Sequence, residues 1–188
     1  MQSIAVYCGA RAGTRGALFH DAARALADCF ARAGLGLVYG GSDNGVMGTL
    51  ANAALDAGCH VTGVMPRDTG LKEQAHEGLS ELVWVGSMTE RKQEMMRLAD
   101  GFIALPGGVG TLEELFEAWS CAQLDMHRKP CALLNVDGYF DGLLAFISGA
   151  RASGMIAPAY ADMLIVESDP DMLLTRMTAY QPPQSRWR

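Results

Sequence analysis

The chain predicts a doubly wound, Rossmann-like α/β fold of three α/β/α layers around a parallel sheet, and three observations lead there. Short β-rich runs alternate with longer helical stretches, most of the short runs are apolar at every position, and glycine-containing turns follow three of them. A run that is apolar throughout, not alternating, suits a parallel strand covered by helices on both faces. The β-α alternation then brings right-handed crossovers and a ligand crevice at the carboxyl edge of the strands. With 188 residues, 49% of them apolar, the chain can bury one sizeable core. A single domain is expected over residues 1–180, with Gln181–Arg188, which carries two prolines and little periodicity, as a loose tail.

The elements read in order. A strand is predicted at Ile4–Tyr7, then a glycine turn through Cys8, Gly9 and Gly13, then a helix over Leu18–Ala33. A second strand at Leu37–Tyr39 runs into the turn Gly40-Gly41-Ser42-Asp43-Asn44-Gly45 and a helix over Val46–Ala57. Strands at Val61–Val64 and Leu82–Val85 precede a charged helix over Thr89–Leu98. The strand Phe102–Leu105 meets the third turn, Pro106-Gly107-Gly108-Val109-Gly110-Thr111, and a helix over Leu112–Met126. Strands at Ala132–Leu134 and Leu164–Val166 and helices over Tyr139–Ala152 and Asp171–Met177 complete the pattern.

Glycine lets backbone N–H groups approach an anion without a Cβ in the way. A helix that starts directly afterwards adds unpaired N–H groups and the positive end of its dipole. Any one such turn is also ordinary βα turn chemistry; three on one sheet edge point to a phosphorylated small ligand. None has the GxxxxGK[ST] spacing of a P-loop, and the first lacks a full GxGxxG. Thr111 and Glu114 have capping-box spacing, so Glu114 reads either as a helix cap or as a carboxylate mounted for chemistry. Arg91 and Lys92, in TERKQEMMR, read either as an exposed helix face or, for Arg91, as a bidentate fork for phosphate or carboxylate.

A net charge of −6 argues against a nucleic-acid or anionic-membrane surface. The five cysteines are scattered without a CxxC pair, so reduced, mostly buried thiols in a cytoplasmic protein are expected, with no signal peptide or bilayer-spanning stretch. The four histidines lack ligand spacing such as HExxH; no metal is expected, and each reads as a surface or turn residue. No cofactor is required, and no Schiff-base lysine stands out.

MTERKQEMM followed by PGGVGTLEE resembles the signature of the LOG ("Lonely Guy") family of cytokinin riboside 5′-monophosphate phosphoribohydrolases, some relatives of which have carried a lysine-decarboxylase label. The likeness extends to VYCGA, VYGG––GVMG, EQAHEGLSEL and QLDMHRKPCALLNVDGYFDGLL, nearly the whole chain. It implies hydrolysis of the N-glycosidic bond of an adenosine 5′-monophosphate, often N6-substituted, to free base and ribose 5-phosphate. A general AMP nucleosidase and a non-catalytic nucleotide or cofactor carrier of the same fold are the alternatives. The resemblance makes Arg91 and Glu114 the catalytic pair. It puts phosphate and substrate binding on Gly107, Gly108, Val109, Gly110, Thr111 and Leu112, on Gly40 and Gly41, and on Glu73, Lys92, Glu113 and Ser120. It also implies a homodimer, in which Met95, Met96 or Trp119 would face a partner instead of the core. Ala10, where the family's first turn has serine, and Ser42, where its second turn has a third glycine, are departures that bear on pocket shape. On this reading Glu114 sits in the first turn of its helix, where the dipole favours its ionised form.

Overall fold

The computed structural model describes residues 1–67 and 74–184. Seven strands appear where the apolar runs predict them: β1 Ser3–Tyr7, β2 Gly36–Tyr39, β3 Val61–Pro66, β4 Glu81–Val85, β5 Phe102–Ala104, β6 Cys131–Leu134 and β7 Leu164–Glu167. They form one sheet in the order β4-β3-β2-β1-β5-β6-β7, and every pairing is parallel. The helices are α1 Gly16–Ala33, α2 Gly45–Asp56, α3 Met88–Leu98, α4 Val109–Gln123, α5 Asp141–Ala152, α6 Pro158–Ala161 and α7 Pro170–Thr178, with a 3₁₀ turn at Val136–Gly138.

The uninterrupted apolarity of the strands has its explanation in the two cores. Along β1, Ile4 and Val6 join the cluster containing Leu26 and Phe30 of α1, Leu50 of α2 and Leu173 of α7. Their neighbours Ala5 and Tyr7 point the other way, into the cluster with Met95 of α3, Leu115 and Trp119 of α4 and Ile147 of α5. Successive residues of a strand face opposite sides, so a sheet covered twice needs apolar residues at both parities. Strand order reverses at β1, which pairs with β2 on one side and β5 on the other. That reversal opens a crevice at the carboxyl ends of β1 and β5.

Three local expectations change. Helix α4 starts at Val109, three residues before the predicted Leu112, because Gly108 is the N-cap, and Gly110 is accommodated inside the first turn. Thr111 is therefore the third helical residue and not a cap; the Thr111–Glu114 capping box does not form, and Glu114 lies in the second turn. The spacing does operate at Ser87: its Oγ accepts the Glu90 N–H at 3.1 Å, and Glu90 reaches back to accept the Gly86 N–H at 2.8 Å, starting α3. At its far end α4 stops before the predicted Met126. Asp125 adopts φ +59°, and the Asp125 and Met126 N–H groups bond the carbonyls of Ala122 and Cys121. That is a Schellman closure without the glycine that usually announces one. Helix α6, a single turn begun by Pro158, was not predicted.

No helix among the described residues is long and apolar enough to cross a membrane. The five cysteines are free, with Cys8, Cys29 and Cys131 buried.

Replacing Ser87 by alanine removes the α3 cap, and urea unfolding should show a loss of about 1 kcal/mol. An unchanged midpoint would assign the α3 start to packing alone.

Candidate active site

The crevice at the strand reversal holds a cavity of about 630 Å³, lined by the β1 turn from Cys8 to Arg15, by Gly107, Gly108, Gly110 and Thr111 after β5, by Gly40, Arg91, Glu113 and Glu114, and by Phe19, Met47, Met88, Met95 and Tyr139. The β1 and β5 turns are joined at its floor, where the Gly9 N–H donates to the Pro106 carbonyl at 3.2 Å.

Arg91 is only 6% exposed, which removes the exposed-face reading. Its Nε donates to the Val64 carbonyl at 3.1 Å and its Nη2 to the Gly40 carbonyl at 3.0 Å, so one guanidinium ties β3 to the turn that follows β2. A charged group removed from water needs such acceptors. The first residue of its helix also contacts it, with Met88 Sδ 3.7 Å from Nη1. Gly40 is glycine for the sake of this side chain: a Cβ there would lie 1.8 Å from Arg91 Nη2 and 2.6 Å from Met47 Cε.

Glu114 lines the same cavity from the second turn of α4. Helix-dipole effects fade beyond the first turn, so the dipole argument for its ionisation loses its footing. Its charge is felt at the Cys8 thiol, which burial pushes far above the usual range, the Glu114 carboxylate adding to the rise and the Arg91 cation opposing it. Cys8 is thus held as a neutral thiol, unsuited to nucleophilic attack.

Gly107 is required by close packing. A Cβ there would lie 2.0 Å from Thr111 Oγ1 and 2.9 Å from the Gly9 nitrogen. Gly108 and Gly110 differ: apart from the adjoining residues and the backbone of α4 itself, no described atom lies within 4 Å of a Cβ built at either, and both are exposed at the cavity. Nothing in the packing demands glycine there, whereas close approach of a ligand to the backbone would.

Of the other residues expected at the site, only Glu113 reaches the cavity lining. Lys92 bridges α3 to α4, paired with Glu113 and, at 2.7 Å, with Glu117; its ammonium is held above its ordinary range by the hydrogen bonds to Glu113 and Glu117. Glu113 reaches the cavity edge but spends its carboxylate on this pair. Val109 is 85% exposed, Leu112 packs toward the α3/α4 core, Ser120 is exposed farther along α4, and Gly41 turns with φ +81° behind the lining. Glu73 lies outside the described residues. Met95 and Trp119 are buried in the core, the indole N–H donating to the Tyr160 carbonyl at 3.0 Å, and Met96 packs against them.

Arg11, Arg15, Phe19 and Tyr139 join the lining without having been singled out from the sequence. For the arginines the available signal was their place inside the first glycine turn; Tyr139 comes from a connection remote in sequence. Of the histidines read as surface or turn residues, His76 stands beside a turn but is buried. It is 8% exposed, with Nε2 3.0 Å from Asn52 Oδ1 and Nδ1 accepting the Gly78 N–H at 3.0 Å. The bridge between Ser42 and Ala75, flanked by the His76 N–H donating to the Gly41 carbonyl at 3.0 Å, ties its segment to the second glycine turn. Among the described residues no three His, Cys, Asp or Glu side chains cluster as a metal site.

Residues 47–177 match the family described as "Possible lysine decarboxylase". A cytokinin riboside 5′-monophosphate phosphoribohydrolase of Rhodococcoides fascians is 48% identical over 89% of this chain and 85% of its own. The Arabidopsis thaliana enzyme of that name designated LOG5 is 43% identical over 98% of this chain and 83% of its own. The chain belongs to the LOG family. The fold extends beyond LOG proteins: the molybdenum cofactor carrier protein of Chlamydomonas reinhardtii superposes with a TM-score of 0.71 at 20% identity, over 95% of this chain and 99% of that one. A molybdenum cofactor binding protein of Rippkaea orientalis does so at 0.68 and 21%, over 94% of each. At that identity the likeness concerns architecture alone.

Two alanine substitutions separate the structural glycines from the ligand-facing ones. Gly40→Ala should destabilise the fold by about 1–3 kcal/mol through overpacking against Arg91. Gly110→Ala should leave stability unchanged or raise it by up to about 1 kcal/mol, while weakening nucleotide binding. Urea unfolding and nucleotide titration of both variants check this; equal effects on stability would contradict the assignment.

Proposed function

We propose that this chain hydrolyses the N-glycosidic bond of adenosine 5′-monophosphates, N6-substituted ones included, releasing the free base and ribose 5-phosphate. The observation that carries the reading is the placement of a buried arginine and a carboxylate, Arg91 and Glu114, in one cavity with ligand-facing glycines at a helix start. Phosphoribohydrolases 40–48% identical to this chain support it.

The 5′-phosphate sits on the amide groups at the start of α4, where the first N–H groups lack intrahelical partners and the dipole favours negative charge. As the C1′–N9 bond breaks, its electron pair leaves with the base and positive charge builds on the ribose, as in glycoside hydrolysis. Glu114 stabilises that charge and takes a proton from the incoming water, whose oxygen bonds to C1′; the departing base takes a proton from solvent, to which Glu114 returns its own. Arg91, held rigidly by two carbonyls, anchors substrate and presents its remaining N–H groups to it.

Incubation with AMP and isopentenyl-AMP, followed by measurement of released base, tests the activity. Release from both at equal rates means a general AMP nucleosidase, and tight nucleotide binding with no release from either means a carrier. Glu114→Gln should keep the fold and most nucleotide affinity and lose at least about 100-fold in turnover. Arg91→Ala should impair affinity and turnover together, with a stability cost of about 2–4 kcal/mol from two orphaned carbonyls. Near-normal turnover in Glu114→Gln would falsify the catalytic assignment.

We further propose that two copies pair through the side of the molecule where Met88, at the cavity, and Val109 and Phe116, on α4, expose large apolar side chains, and that the protein is cytoplasmic. Light scattering at micromolar concentration should return twice the 20.1 kDa chain mass; a mass of one chain overturns the pairing.

A further inference from the structure

Part of the cavity wall is built by a connection that takes no part in the proposed hydrolysis. Between β6 and α5 the chain makes a tight turn, with Asp137 at φ +48° and Gly138 at φ +69°. The turn is tied on both sides. Asn135 Oδ1 accepts the Phe140 N–H at 2.8 Å, and Asn135 Nδ2 donates to Asp141 Oδ1 at 2.8 Å. Asp137 pairs with Arg15 of the β1 turn. A left-handed backbone at a non-glycine residue persists where its surroundings hold it, and here the held turn delivers the next side chain, Tyr139, to the cavity.

Tyr139 lines the cavity with its ring edge-on to Phe19, centroids 5.3 Å apart, and its hydroxyl donates to the Gly107 carbonyl at 2.6 Å. The position of that acceptor is the important point. The Gly107 carbonyl and the Gly108 N–H belong to one planar, trans peptide unit, in which C=O and N–H point in opposite directions. Fixing the carbonyl therefore fixes the N–H. The preceding peptide unit is held in the same manner, its Pro106 carbonyl accepting the Gly9 N–H at 3.2 Å. Two successive amide planes are thus locked by their carbonyls, one through the backbone and one through a side chain. Glycine gives these units rotational freedom that no side chain of their own restrains, so the restraint has to come from outside the turn.

We propose that Tyr139 is a positioning residue for the phosphate seat. Its phenolic hydrogen bond holds the Gly107–Gly108 peptide plane so that the Gly108 N–H is set for the anion before ligand arrives. The inference rests on the reading of this cavity as a nucleoside 5′-monophosphate site. Tyr139 acts through Gly107 and takes no part in bond cleavage. Removing the hydroxyl should therefore raise KM for a monophosphate with kcat nearly unchanged, whereas loss of Glu114 acts on kcat.

The test is calorimetric titration of the wild-type protein and Tyr139→Phe with ribose 5-phosphate and, separately, with adenosine, alongside thermal unfolding of both proteins. Tyr139→Phe keeps the ring against Phe19 and loses only the hydrogen bond. Ribose 5-phosphate affinity is expected to fall about five-fold, with adenosine affinity and unfolding midpoint unchanged. Equal ribose 5-phosphate affinity in the two proteins overturns the inference and leaves the phosphate site standing. An equal loss for adenosine also overturns it, because the defect is then general and not at the phosphate. No ribose 5-phosphate binding by the wild-type protein overturns the site itself and this inference with it. If the variant does not fold, inorganic phosphate added to the wild-type protein should shift the Gly108 amide resonance, and an unmoved resonance overturns the inference.

Discussion

A guanidinium that is 6% exposed cannot rest against the end of a sheet without acceptors, and Arg91 finds them in the carbonyls of Val64 and Gly40. Those two contacts constrain much of what surrounds them. They require that the residue following β2, Gly40, have no Cβ, because the guanidinium passes where one would be. They fix the start of α3 relative to β2 and β3, which the Ser87–Glu90 cap then stabilises. They also leave the cation at the cavity, where part of its charge remains available to an anion. A buried charge satisfied by backbone carbonyls is rigid as well as costly to remove, since deleting it strands both acceptors.

The other half of the site follows from the reversal of strand order at β1. Reversal separates the helices that follow β1 and β5 onto opposite faces, so their connecting turns diverge and leave a crevice. Both turns enter it as glycine-rich backbone, cross-linked by the Gly9–Pro106 hydrogen bond. The glycines there have distinct purposes. Gly107 makes room for Thr111 and Gly9, whereas Gly108 and Gly110 face open space. Related folds among molybdenum cofactor proteins preserve the same architecture at about one-fifth identity, so the crevice is a property of the topology and the chemistry a property of its side chains.

The strands were legible because burial on both faces imposes continuous apolarity, a pattern that survives whatever the ligand. Helix bounds were less so. The start of α4 was hidden by Gly110, whose turn-forming character outweighed its place in the helix, and its end by a Schellman closure built on Asp125. Capping-box spacing occurs at both Ser87 and Thr111; local sequence does not say which is at a helix start, and the fold puts Ser87 at the N-cap of α3 but Thr111 inside α4, whose N-cap is Gly108. Lys92 adjoins Arg91 in sequence, yet successive helix positions point about 100° apart, and it turns to Glu113 and Glu117 and not to the cavity.

The sequence by itself determined the parallel α/β sheet, the glycine turns at its carboxyl edge and the family likeness that singled out Arg91 and Glu114. These are written in local periodicity and in short motifs, which need no knowledge of distant neighbours. Only the tertiary structure decided that Arg91 is buried and backbone-bound, that Glu114 is no cap, that Lys92 pairs elsewhere, and that Arg11, Arg15, Phe19 and Tyr139 complete the cavity. Each depends on which elements the sheet order makes adjacent. Tyr139 stands 32 residues from Gly107 and meets it because β5 and β6 pair side by side.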